Sequence, residues 1–307
     1  MPRSAFTKNT LKPLLNVSDY RIEGLGPVFE VAMEAFSVLG IDFYMLGALA
    51  KDTWFWEGKI KSRRTKDVDF AILVSSKVHY NKVTEYLIKN HGFVEVKDNP
   101  VRIASPEGYY IDIIPFGGLN IDDLSNLDGV GISTVDVEGF TTVNQLGTVH
   151  KQLPTGHQLR IASLPSIVLL KIIAYNSSPE RRAKDPGDIA SIIYHFYDIQ
   201  TEFIIQEYNE FFLKFIDSVD SSILSAYLIG LEVRKLTLGD FALQALVVRA
   251  LKRIIEQKEN SVFIHYMVSA LLHDGLRVSY DTVFKWIFSL LMGIEGRQPN
   301  LEKLPGI

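Results

Sequence analysis

Apolar and polar positions alternate along this chain in two regimes. Through the first half, short β-branched runs are separated by amphipathic stretches and turn residues, the pattern of an α/β unit. A helix is expected over Glu23–Leu39 and a short strand over Phe43–Leu46. Gly47 then opens a second helix rich in aromatics (Trp54, Phe55, Trp56). A strand over Asp67–Val74, a helix over Val78–Asn90 and strands near Phe93 and Val101 follow. Tyr109–Phe116 reads as another apolar strand. β-branched segments from Val130 to Val143 carry the unit to its end near Ile161. Beyond it the spacing becomes helical. Pro165 suits a first helical position, Ser166–Tyr175 is strongly apolar, and further helices are expected over Pro186–Tyr197, Glu202–Phe215, Phe241–Gln257, Ser261–Leu272 and Tyr280–Met292. The residues from Gly296 read as a loose tail. The expected architecture is therefore an α/β mixed sheet with helices over residues 1–161, followed by an all-α domain over 162–307.

Two of these strands carry charge where an apolar pattern has no place for it. The strand from Val68 to Val74 opens on Asp67 and Asp69. Residues two apart on a strand share a face, so both carboxylates project together while Val68 and Phe70 look the other way. Side by side they repel and lose hydration unless a cation lies between them. The plainer reading is a solvated strand face, because Asp-x-Asp spacing is common there. Asp112, alone at the centre of Tyr109-Tyr110-Ile111-Asp112-Ile113-Ile114, shifts the balance. A single ionised carboxylate among Ile and Tyr is costly unless paired or metal-bound. If that strand lies beside the first, Asp67, Asp69 and Asp112 form one cluster of oxygen ligands suited to Mg²⁺ or Mn²⁺.

Composition permits an enzyme of this kind. The 307 residues are enough for two cores, and 47% hydrophobic with 22% charged residues is ordinary for a globular protein. The absence of cysteine excludes disulfides, thiolate nucleophiles and zinc–thiolate sites, and is compatible with a cytoplasmic setting. Met1–Tyr20 lacks the apolar segment of a signal peptide, and no apolar run reaches membrane-spanning length. A formal net charge of −4 argues against a broadly basic nucleic-acid coat. It leaves room for a local patch: Lys59, Lys61, Arg63, Arg64 and Lys66 crowd together just before the acidic pair. Lys59 and Lys61 fit a solvated loop, whereas Arg64 and Thr65 sit close enough to the acids to meet a triphosphate.

Three further positions each admit two readings. Gly47-Ala48 either makes a simple strand-to-helix turn or aims a helix N-terminus at phosphate. Lys171 is the sole charge between Leu164 and Ser178; it either snorkels to solvent or meets a polyanion. In Arg181-Arg182-Ala183-Lys184-Asp185-Pro186-Gly187-Asp188, Asp185 serves as an N-cap, Pro186 as a first helical residue, and Asp188 complements the helix dipole. All of that is ordinary helix-start chemistry.

Taken together, a strand ending at Gly47, a helix, Asp67-Val68-Asp69 on the next strand, a Lys-bearing helix and a Lys-Asp-x-x-Asp-Ile helix start resemble the nucleotidyltransferase superfamily. The basic turn and the Lys171 helix are similar to its AbiEii/AbiGii toxin-like branch, over roughly residues 40–200. The resemblance implies Asp67 and Asp69 as metal ligands, to which the strand reading adds Asp112, and Lys171 and Asp188 completing a nucleotide site with Gly47, Ala48, Arg64 and Thr65 around it, Lys184 and Asp185 being weaker matches. It implies a nucleoside triphosphate substrate, a hydroxyl acceptor such as the 3′ end of tRNA, and a cognate antitoxin as partner. Two departures stand out. Ala48 replaces the usual Gly or Ser and removes a hydroxyl, and the interval from Gly47 to Asp67 is longer than usual. Transfer to a small molecule or a protein side chain, and a non-catalytic nucleotide-binding module, are the competing readings. Three clustered acids would bring a pure binding module no gain.

Overall fold

The computed structural model describes residues 25–60, 67–97, 99–118, 139–153, 156–215, 217–297 and 304–305. The basic segment that holds Lys61, Arg63, Arg64, Thr65 and Lys66 lies outside the described residues, as does the expected β-branched stretch before Gly139.

Among the described residues the first half builds one seven-stranded mixed sheet. Its strands are β1 (Asp42–Leu46), β2 (Asp67–Val74), β3 (Val94–Val96), β4 (Asn99–Ala104), β5 (Tyr110–Gly117), β6 (Thr148–Gln152) and β7 (Gln158–Ala162), in the order β3-β4-β5-β2-β1-β7-β6. β2 runs parallel to β5 and antiparallel to β1, with Asp69 paired to Asp112 and Leu46 to Asp69. β4 runs antiparallel to β5, and Arg102 is the register partner of Asp112. One row across the sheet is therefore Arg102, Asp112, Asp69, Leu46.

Why the sheet sits there follows from its two faces. Phe70 on β2 makes edge-to-face contacts with Phe29 and Phe36 of α1 (Leu25–Val38). Such pairs add to the burial of two large side chains. The opposite face carries Asp67 and Asp69 at its polar end. Toward the middle it becomes apolar, where Phe116 packs on Tyr44 and stacks on Phe140. α2 (Gly47–Glu57) and α3 (Lys77–His91) complete the layers. Ser76 caps α3 by accepting from the His79 N–H, which satisfies one of the helix's orphan donors.

Two expectations change here. Phe140–Leu146 is a helix, α4, rather than a β segment: Phe140 and Val143, three apart, turn inward together and both are buried. β6 and β7 pair antiparallel, Thr148 with Ala162 through Gln152 with Gln158, two strands that the sequence pattern does not separate.

The second half is all helix among its described residues: α5 (Leu164–Ser177), α6 (Asp185–Phe215), α7 (Ser221–Thr237), α8 (Phe241–Glu256), α9 (Val262–His273) and α10 (Tyr280–Glu295). α5 is apolar nearly all round, so it must be enclosed, and Leu164–Leu170 are all buried. Ser163 caps it, accepting from the Ser166 N–H, with Pro165 in the first turn. The two helices expected over 186–215 form one run, with non-helical backbone at Gln200 and Tyr208. α7 had gone unassigned because three serines and Gly230 blur its period. Buried residues of both halves join in one hydrophobic cluster.

α7 and α10 cross with their backbones nearly touching. A Cβ on Gly230 would lie 2.3 Å from the Leu290 carbonyl oxygen, and one on Gly293 would lie 2.3 Å from that of Tyr227. Neither backbone can yield without separating the helices. Gly230→Ala should therefore cost about 1–3 kcal/mol despite alanine's higher helix propensity, measured by urea unfolding. An unchanged midpoint would mean that the helices slide apart freely.

Candidate active site

The site grows from the polar end of β2. Parallel pairing with β5 sets Asp69 and Asp112 side by side on one face, with Asp67 two residues away on that face. Here the strand adjacency required by the sequence reasoning is present. Asp69 lies hard against the start of α2: a Cβ on Gly47 would fall 2.1 Å from an Asp69 carboxylate oxygen. Gly47 also has φ +71°, so two independent constraints demand glycine. Its role among the described residues is to let a carboxylate approach the backbone.

Burial raises the Asp69 carboxyl to about 7, with the neighbouring charge of Asp112 adding to the effect, Lys171 opposing it and Asp67 adding further. Burial and the two neighbouring carboxylates all oppose its ionisation, so the acidic face calls for positive charge. Arg102 supplies some of it. Its Nε and Nη2 donate to the two oxygens of Asp112 at 2.6 and 2.7 Å, and Nη2 lies 3.5 Å from Asp67. The fork to Asp112 holds the guanidinium even more firmly protonated than usual. Its plane sits 5.1 Å from the ring of Tyr110, the register partner of Asp67.

From the helical half come Lys171 on α5 and the first turn of α6. Lys171 does not snorkel. It donates to Asp185 at 2.7 Å and pairs with Asp188 at 2.8 Å, and its side chain is only 14% exposed. Burial works against its charge, but Asp188 and then Asp185 outweigh burial and hold its pKa above the ordinary lysine value. Asp188 divides its oxygens: Oδ2 goes to Lys171, while Oδ1 accepts from Lys51 of α2 at 2.5 Å. Against the cost of burial, Lys171 and Lys51 hold Asp188 well below the usual carboxylate range. This Lys51–Asp188–Lys171–Asp185 chain ties the start of α6 to both α2 and α5. One Asp185 oxygen is buried without a hydrogen bond.

The expected residues thus separate into groups. Asp67, Asp69, Asp112, Lys171, Asp188 and Gly47 are gathered at one place. Ala48 follows Gly47 in the first turn of α2, and Lys184 is exposed just before α6. Arg64 and Thr65 lie outside the described residues. Lys51 and Arg102 were not foreseen. Each is a lone basic residue in an apolar element, the same signal that exposed Lys171 and Asp112.

The donor set suits a hard divalent cation: three carboxylates lie on one sheet face, and among the described residues no cation is hydrogen-bonded to Asp69. As the side chains stand, no group of three His, Asp or Glu among the described residues is arranged to hold a metal ion. Asp112 and Asp67 are turned toward Arg102 instead.

Asp69 also makes stability depend on pH. A carboxyl whose folded pKa is raised favours the fold while protonated, and that contribution is lost as pH rises through about 7. In metal-free protein, Asp69→Asn should raise Tm by roughly 2–4 °C near pH 8, with the gain fading toward pH 5. A gain that is the same at both pH values would assign the effect to packing rather than charge.

No family model matches the chain, and no curated protein matches it significantly. Among solved structures, the antibiotic-resistance factor ANT(2'')-Ia aligns with 58% of this chain and 83% of its own, at 12% identity and a TM-score of 0.33. At that distance the functional reading rests on the residues of this chain alone.

Proposed function

We propose that this protein is a nucleotidyltransferase that moves a nucleoside monophosphate from a nucleoside triphosphate to an acceptor hydroxyl, with an RNA end such as the 3′ end of tRNA as the acceptor. One observation carries the reading: Asp67, Asp69 and Asp112 share a sheet face, and Asp69 lies within electrostatic range of Lys171, a buried lysine supplied by the helical half. A pure binding module would not need a partly buried face that carries three carboxylates. A polyanion delivered with cations does need one.

Asp67, Asp69 and Asp112 would hold Mg²⁺ or Mn²⁺, which supplies charge neutralisation for a triphosphate and acidifies an acceptor hydroxyl. The chain's own groups do the rest. Lys171, fixed in direction by Asp185 and Asp188, presents a fully charged ammonium close to Asp69 and so to the phosphates bound there. Attack of the acceptor oxygen on the α-phosphorus forms the new phosphoester and releases pyrophosphate. The close contact of Gly47 with Asp69 fixes that carboxylate at the mouth of α2, whose first-turn N–H groups favour anions. Arg181 and Lys184, both exposed in the turn before Asp185, support an RNA acceptor approaching from the helical side. A toxin-like role with a cognate antitoxin belongs to the same reading.

Incubation with each labelled nucleoside triphosphate, Mg²⁺ and total cellular RNA should place label in RNA, and Asp67→Ala combined with Asp69→Ala should abolish it while leaving the fold intact. Label found instead in a small metabolite or in protein would keep the chemistry and replace the acceptor. Lys171→Met keeps the stem's bulk and removes the charge. It should lower transfer by about 100-fold or more, as loss of an electrostatic stabiliser does. With an RNA acceptor, transfer should fall steeply with added salt, because each phosphate contact releases counterions. A shallow salt dependence would favour a small acceptor.

A further inference from the structure

We propose that Arg102 is a built-in competitor of the divalent cation: its guanidinium occupies Asp112 and reaches Asp67 in the metal-free protein, and must be displaced before those carboxylates can bind metal. The inference rests on the metal reading above and concerns a residue outside the expected site. Arg102 faces Asp112 directly across the β4–β5 pair and spends two donors on its two oxygens at 2.6 and 2.7 Å. Its Nη2 is also 3.5 Å from Asp67. Two of the three candidate ligands are thereby turned to one organic cation, and no metal-holding group forms among the described residues.

Co-occupancy is unfavourable. A guanidinium cannot shed its proton, and a divalent ion on the same carboxylates would face a fixed positive charge in a partly buried site. Arg102 does have somewhere to go. Its side chain is 26% exposed against 14% for Asp112, and it lies over Tyr110 on the solvent-reaching end of the row. A planar fork released from a carboxylate is well matched to phosphate oxygens. Metal ion alone therefore binds weakly, and a polyphosphate that accepts the guanidinium strengthens metal binding. The exchange leaves Asp112 with a cation at either stage and ties ion entry to substrate entry.

Mn²⁺ binding followed by electron paramagnetic resonance of the free ion tests this with full-length protein, without recourse to activity. Arg102→Gln should bind Mn²⁺ roughly tenfold more tightly than the wild type. Arg102→Lys keeps the charge and loses the fork, so it too should bind more tightly, by a smaller factor. Inorganic tripolyphosphate should tighten Mn²⁺ binding more in the wild type than in Arg102→Gln, compared through a cycle that accounts for Mn²⁺ held by tripolyphosphate alone. If Arg102→Lys matches the wild type while Arg102→Gln is tighter, a general field effect replaces competition and the proposal fails. Weaker binding in both variants would make Arg102 a support for the site and would also overturn it. Asp69→Asn separates the two levels. Loss of Mn²⁺ binding in that variant upholds the metal reading whatever Arg102 does, whereas unchanged binding ends both. Should Arg102→Gln fail to fold by circular dichroism, the Arg102→Lys comparison alone decides.

Discussion

Repulsion among carboxylates on one sheet face is the constraint around which the functional half of this molecule is arranged. Parallel pairing of β2 with β5 forces Asp69 and Asp112 next to each other, and the two-residue repeat adds Asp67. Relief comes from two sides: Arg102 grips Asp112 from the neighbouring strand, and Lys171 acts on Asp69 from the helical half. Burial, more than the neighbouring charges, raises the Asp69 carboxyl to about 7, and the repulsion of Asp112 adds to it.

The second cluster explains how a lysine can be kept charged inside an apolar helix. Alone, Lys171 on α5 would lose its charge or turn outward. Asp185 and Asp188, placed by the first turn of α6, keep it protonated and aimed. Lys51 then balances Asp188 from α2. Removing Asp188 takes from Lys51 its counterpart in this chain, and removing Lys171 takes from Asp185 its own, which costs more than the pair itself contributes. The α/β and helical halves are therefore joined by charge as well as by the continuous apolar cluster.

These two clusters meet at the start of α2. Gly47 accepts the Asp69 carboxylate against its backbone, and one turn later the same helix sends Lys51 to Asp188. A short element thus connects the acidic face to the lysine that neutralises it. The helix runs unbroken over Gly47–Glu57 within the lengthened interval to Asp67, and the contact between Gly47 and Asp69 is intact.

Much of this could be read from residues. The Asp67–Asp69 pair, the isolated Asp112 and the lone Lys171 were visible because each is a charge in a pattern that should exclude it. Strand alternation and helix-start chemistry set most of the element boundaries for the same local reasons. The same test applied to Val101-Arg102-Ile103 and to Lys51 among aromatics would have found both. What no local pattern contains is partnership. Asp188 satisfied every rule for the first turn of a helix, and only the packing of α6 against α2 and α5 made it a bridge between two lysines. Likewise, Arg102 is an ordinary strand residue until antiparallel pairing sets it across from Asp112. Residue chemistry determined which groups needed a counterion; strand order and helix packing, which join positions far apart in the chain, decided which counterion each received.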